Sequence, residues 1–74
     1  METNTDHLAK ALHAAMDAHA ATVARGASML EVLQAVRAVQ VATGRLAIDS
    51  GEDESSIIFA IEDIDAEIAA LVAK

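Results

Sequence analysis

The last twenty residues, 55–74, carry the pattern that most constrains what this chain can fold into. Large aliphatic residues recur there at steps of four, three, four and three: Ile57, Ile61, Ile64, Ile68 and Leu71. At about 100° per residue, this spacing aligns them along one side of a helix, and it is also the spacing of a coiled-coil seam. The stripe therefore predicts a helix that packs against another helix.

The composition limits how much core this helix can share. The 74 residues are 54% hydrophobic, but much of that fraction is Ala, and the chain has no Cys, no Pro and a single aromatic residue, Phe59. Ala is the best helix former and buries little area. A single core in so short a chain rarely supplies more than about 3–5 kcal/mol. We therefore expect one helical domain, 1–74, with a frayed N-terminus at 1–5, completed by dimerisation.

Helical periodicity continues through the chain with two interruptions, near residues 26–27 and 50–54, and no period-two alternation predicts a strand. The predicted fold is all-α: a small antiparallel bundle of three helices at about 5–25, 28–49 and 54–73. Thr3 with Asp6, or Thr5 or Asp6 alone, can cap the first helix.

The ends of the second predicted helix depend on local signals. Ser28 and Glu31 have the spacing of a capping box, in which each side chain bonds the other residue's amide. Gly44 could end the helix, but Leu46 and Ile48 continue the pattern. We therefore place the break near Ser50.

The second helix is apolar on more than one side, so we expect it to be covered on two sides. Arg37 and Arg45, which lie among its apolar residues, can extend toward solvent or pair with an acid of the third helix. We assign a core or dimer seam to these residues: Val32, Val36, Val39, Ile57, Ile61, Ile64, Ile68 and Leu71.

A second surface is predicted on the third helix. Ile58 and Phe59 fall about 100° and 200° from Ile57, so neither can join the stripe. Phe59 could pack within its own chain, in a dimer interface or against another protein. Acidic residues flank it, and the predicted protein interface comprises Ile58, Phe59, Glu62, Asp63, Asp65 and Glu67. The alternative for the acids is a merely solvated face.

Catalytic and metal chemistry are not predicted. His7, His13 and His19 are six residues apart and point about 120° from one another, so one helix cannot direct them to one metal ion. The carboxylates belong to predicted helix surfaces rather than a cleft. Asp49, Gly51 and Asp53 lack the residue order of a calcium loop. We expect no enzyme activity, cofactor or metal.

The charge restricts the partners. A net charge of -7 and a pI near 4.6 argue against direct binding of nucleic acid or of an anionic membrane. No apolar run is long enough to span a bilayer, and the first residues lack a signal-peptide pattern, so we expect a cytoplasmic protein. Its partners are expected to be a second copy and a protein with a basic or apolar surface.

These features favour a non-enzymatic protein–protein interaction module that binds a protein partner through the third helix and regulates or inhibits it. Two alternatives stay open. One is a nucleic-acid mimic that inhibits a DNA- or RNA-binding protein, of the phage anti-defence or antitoxin type. The other is a helical docking or adaptor subunit of a larger enzyme assembly.

Overall fold

Three helices make up most of the chain. The computed structural model describes residues 3–73, with α1 at Asn4–Ala24, α2 at Met29–Asp49 and α3 at Ser55–Val72. The all-α prediction is confirmed, no strand occurs within the described range, and each predicted boundary lies within one residue of the observed one.

A complete capping box starts α1. The Thr3 hydroxyl accepts a hydrogen bond from the Asp6 amide at 3.1 Å, and the Asp6 carboxylate accepts from the Thr3 amide at 3.1 Å. These bonds satisfy amides that the first helical turn leaves open. Asn4 and Thr5 thus belong to α1, and residues 1–2 lie outside the described range, so fraying of residues 1–5 stays a prediction.

Only half of the capping box predicted for α2 is present. The Ser28 hydroxyl accepts from the Glu31 amide at 3.3 Å, as expected. The Glu31 carboxylate does not complete the box at the Ser28 amide and lies 2.9 Å from Nη1 of Arg25. Glu31 thus forms an ion pair across the α1–α2 connection with Arg25, the residue that ends α1.

Both connections are built alike. Gly26 and Gly51 have φ of 69° and 77°, in the left-handed region that glycine adopts without strain. The Ala27 amide bonds the Thr22 carbonyl and the Glu52 amide bonds the Ala47 carbonyl, which are the long bonds of two Schellman motifs. Glycine at this position ends each helix, so α2 passes through Gly44 and stops at Asp49, as predicted.

The helices lie side by side with α2 in the middle. Both α1 and α3 pack against α2, and within residues 3–73 they do not contact each other. The Asn4 amide binds Asp49 across α1 and α2, and Gly44 approaches Ile57 across α2 and α3, so neighbouring helices run antiparallel. The principal extents are 46 × 27 × 13 Å, and the short dimension corresponds to roughly one helix diameter.

Gly44 lies at a close contact between α2 and α3. Among the described residues only Gly44 and Ala47 are buried, and Ala47 is 6% exposed. Gly44 faces the stripe of α3, whose members are half-buried, and Ala47 lies one turn further along α2. A Cβ placed on Gly44 would lie 3.3 Å from Cγ2 of Ile57. Small residues on α2 therefore let α3 approach closely.

We predict that Gly44→Leu destabilises the fold although it improves helix propensity. The propensity gain is about 0.8 kcal/mol, whereas forcing extra carbons into a packed contact costs about 1–3 kcal/mol. Urea unfolding followed by circular dichroism measures the difference. Ala14→Leu, on the exposed side of α1, is the control and should change the unfolding free energy by less than about 0.5 kcal/mol. A Gly44→Leu protein as stable as the control would contradict this packing.

Candidate protein-binding surface

The predicted seam divides into two surfaces. Ile57, Ile61, Ile64, Ile68 and Leu71 run along α2 and are half-buried there. The three valines of α2 lie to one side of that contact. Val36 and Val39 line an open groove with His19 of α1. The stripe of α3 is thus used within the chain, whereas the valines remain partly open to solvent.

Several apolar residues of α1 and α3 are exposed. On α1, Leu8, Leu12, Ala15 and His19 turn toward α2 and are half-buried, but Met16 and Val23 are about half exposed. Val72, at the end of α3, is also exposed.

Phe59 lies at the outer edge of the single layer that the three helices form. Its side chain is 65% exposed, and α3 makes no contact with α1. The alternative in which Phe59 packs within its own chain is therefore wrong for this structure. Ile58, its neighbour, is 47% exposed. Two large apolar side chains of a small helix thus remain outside the chain's own packing.

The six residues predicted as a protein interface do not form one patch. At about 100° per residue, they spread over about 200° of α3. Ile58 and Asp65 lie on the side nearest Arg37, Asp63 and Glu67 lie on the other side, and Phe59 and Glu62 lie between them. This arc is the part of α3 that α2 leaves uncovered.

Asp65 has a role within the chain. Its Oδ1 accepts a hydrogen bond from Nε of Arg37 at 2.6 Å, with a weaker contact of 3.5 Å between Oδ2 and Nη2. The hydrogen bond and the charge of Asp65 raise the pKa of Arg37 above its ordinary value. This pair joins α2 to α3, as the sequence suggested for Arg37, and removes Asp65 from the carboxylates available to a partner.

Two further acids organise helix ends. Asp49 accepts hydrogen bonds from the Thr5 hydroxyl and from the Asn4 side-chain amide, the latter at 2.7 Å, and these bonds lower the pKa of Asp49. The Asp49 bonds tie the first turn of α1 to the last turn of α2. No local sequence pattern indicates this link, since Thr5 and Asp49 are 44 positions apart.

Asp53 plays a local part at the start of α3. Its Oδ1 accepts from the Ser55 hydroxyl at 2.6 Å and from the Ser55 amide at 3.0 Å, and both bonds lower the pKa of Asp53. A carboxylate in this position also interacts favourably with the positive end of the helix dipole.

The grooves of the layer are shallow and carry little chemistry. One groove, of about 310 Å³, lies between α1 and α2 and is lined by Leu8, Ala11, Ala15, Arg37, Ala38, Val41, Ala42 and Arg45. Another of about 290 Å³ lies beside Met29 and Leu71. Neither of these two grooves brings a nucleophile and a base together.

The described residues also bear on metal binding and on insertion into a membrane. Between residues 3 and 73, no three His, Asp or Glu side chains are placed to hold a metal ion together. None of the three helices, over the same range, has the length and apolar character needed to traverse a lipid bilayer.

No protein-family model, curated protein or solved structure matches this chain. The exposed arc of α3 and the uncovered side of α2 are therefore the features of the molecule that bear on its function.

We predict that Asp49 makes the stability of the protein sensitive to acid. Because its folded-state pKa lies below the ordinary value of 3.8, ionised Asp49 stabilises the fold above about pH 4, and this contribution is lost as the pH falls through the lowered pKa. Asp49→Asn should therefore lose less stability than the unmodified chain between about pH 5 and pH 2.

Urea unfolding at a series of pH values measures this effect. Asp63→Asn is the matched control, because Asp63 lies on α3 away from the α1–α2 contact, and it should keep the acid sensitivity of the unmodified chain. Equal loss of stability in Asp49→Asn and the unmodified chain would show that the Asn4 and Thr5 bonds do not link the helices in solution.

Proposed function

We propose that this chain is a non-enzymatic interaction module that binds a protein partner through the exposed arc of α3 and regulates or inhibits it. We call this surface the α3 arc and define it by Ile58, Phe59, Glu62, Asp63 and Glu67. The observation that carries the proposal is the exposure of Phe59, the only aromatic residue of the chain.

The surroundings of Phe59 favour helix-in-groove binding. Ala66 and Ala70 are exposed and lie within about 20° of Phe59 around the helix. A ring that projects beside a track of small residues can enter a pocket while the helix lies close to the partner's surface. Burying a Phe side chain contributes roughly 1.5–3 kcal/mol, which is the scale of a binding hot spot.

Charge indicates the chemistry of the partner. Glu62, Asp63 and Glu67 border Phe59 and are exposed. A partner with an apolar pocket and Lys or Arg around its rim would complement this arrangement. Charges at such a rim act mainly on the association rate and on specificity, while the buried ring supplies most of the affinity.

This division of roles separates the proposal from nucleic-acid mimicry. A mimic depends on its carboxylates, and the pairing of Asp65 with Arg37 leaves three acids on the arc. In helix-in-groove binding, Phe59 is instead the main determinant of affinity. A docking role in a larger enzyme assembly would use the same arc, with the enzyme as partner. We place the binding in the cytoplasm, which the acidic, cysteine-free composition favours.

We predict that Phe59→Ala weakens partner binding. Tagged protein would be used to capture partners from a lysate of the source cells, with quantitative mass spectrometry of what each variant retains, followed by titration of the purified partner. Loss of the ring should weaken affinity about tenfold or more, since 1.4 kcal/mol is a factor of ten. Ile48→Ala, which shortens an equally exposed aliphatic side chain of α2, should bind normally.

A second variant tests mimicry in the same assay. Glu62→Gln, Asp63→Asn and Glu67→Gln together should reduce the salt dependence of binding and leave a measurable affinity. Complete loss of binding in this variant, with normal binding by Phe59→Ala, would favour mimicry. If the purified partner binds Phe59→Ala and the unmodified chain equally, the α3 arc is not the binding surface.

A further inference from the structure

One broad side of the layer lacks a cover. We call it the valine face and define it by Met16 and Val23 of α1 and by Met29, Val32, Val36 and Val39 of α2. The three valines follow one another at steps of four and three, which aligns them along α2 between its contacts with α1 and α3. They are partly exposed, and Met29 is 63% exposed.

A single layer of helices is an incomplete architecture. Stable domains bury the apolar stripes of their helices between at least two packed layers. Here the third dimension is 13 Å, and only Gly44 and Ala47 are buried within residues 3–73. The accessible surface is 4989 Å², whereas a compact monomer of this mass exposes about 4,300 Å².

The surface that this chain exposes beyond that of a compact monomer is close to the area of one protein interface. The excess of roughly 700 Å² approaches the roughly 800 Å² per chain that a standard-size interface buries. The layer extends 46 × 27 Å, so one broad side can supply that area. A second copy presents an identical layer of three helices, and stacking the two copies gives each its second layer.

Charge fixes the orientation of the two copies. Asp63 and Glu67 project at the α3 edge of the valine face, whereas α1 borders it with Met16 and Val23. A two-fold axis perpendicular to the helices would place α3 on the other α3 and bring these carboxylates together. An axis parallel to α2 places each α3 over the other copy's α1, and like charges stay apart.

We propose that two copies of this chain stack through their valine faces with their α2 helices parallel, so that Val32, Val36 and Val39 each meet the same residue of the second copy. Phe59 lies outside the valine face, so the dimer leaves this ring free for another protein, while Asp63 and Glu67 of the α3 arc border the contact between the two copies.

Light scattering coupled to size-exclusion chromatography tests the stoichiometry. The unmodified chain should give twice the 7.7 kDa mass of one chain. Val36→Glu should give the mass of one chain, since it places a charge in the apolar contact. Gln34→Glu, about 200° away around α2, is the matched control and should stay dimeric. A single-chain mass for the unmodified protein overturns the proposal, as does a dimeric Val36→Glu.

Cysteine crosslinking tests the orientation and does not depend on a destabilising substitution. The chain has no cysteine of its own. Val32→Cys, Val36→Cys and Val39→Cys, made singly and oxidised, should each form a disulfide-linked dimer, because parallel helices bring every one of these positions opposite itself. Gln34→Cys should stay unlinked. Antiparallel helices would link at most one of the three, and that result, or efficient linkage at Gln34→Cys, overturns the proposal.

The same variants keep this inference distinct from partner binding. A folded, monomeric Val36→Glu, with the helical circular dichroism of the unmodified chain, should still capture the protein that binds the α3 arc. Failure of Phe59→Ala to lose that partner would remove the proposed function and leave the dimer intact.

Discussion

The fold depends on α2 packing against two neighbours that do not touch each other. Because α1 and α3 lie on opposite sides of it, α2 must present a contact surface to each, and it does so with small residues. Gly44 and Ala47 let the aliphatic stripe of α3 approach, while Ala38 and Ala42 line the groove toward α1. Close approach compensates only in part for the small area of alanine, so large aliphatic residues stay partly open on both sides of the layer.

The acids of this chain have two kinds of role, and the net charge of -7 conceals the difference. Asp6, Asp49 and Asp53 satisfy donors at helix ends, and Asp65 joins α3 to α2. By contrast, Glu62, Asp63 and Glu67 stand on the exposed arc of α3. The four aspartates named first, of twelve acidic side chains in all, therefore bond within the chain, and the other three acids lie around the one aromatic ring on the exposed side of α3.

The sequence predicted the helices well because their ends are specified locally. Thr3, Ser28 and the two glycines of the connections each act within a few residues, so their effect can be read without the tertiary structure. The stripe of α3 was equally clear. The surface of α2 that this stripe contacts could not be predicted, because α2 has several apolar sides and only packing decides which side meets α3. For the same reason the valines were grouped with the α3 stripe, although the structure separates them.

The candidate surface was harder to predict. Periodicity placed Phe59 outside the stripe but could not decide what it would meet, since that depends on whether α1 reaches α3. The pairing of Arg37 with an acid of α3 was foreseen as a class of contact, whereas the choice of Asp65 follows from the register of the two helices. The link from Asp49 to Asn4 and Thr5 joins distant parts of the chain and has no local signature.

The α1–α2 hairpin is fastened at both of its ends, by Arg25 with Glu31 beside the connection and by Asp49 with Asn4 and Thr5 at the opposite end. Within residues 3–73, the shorter α3 is joined to α2 by the aliphatic stripe and by the ion pair of Arg37 with Asp65 near its middle, without a polar link at each end. Local opening of a protein begins where the fewest contacts must be broken. Release of α3 about residues 50–54, with the hairpin intact, is therefore the least costly way for this molecule to open. In a dimer, opening at the same hinge would allow domain swapping, in which the two copies exchange their α3 helices.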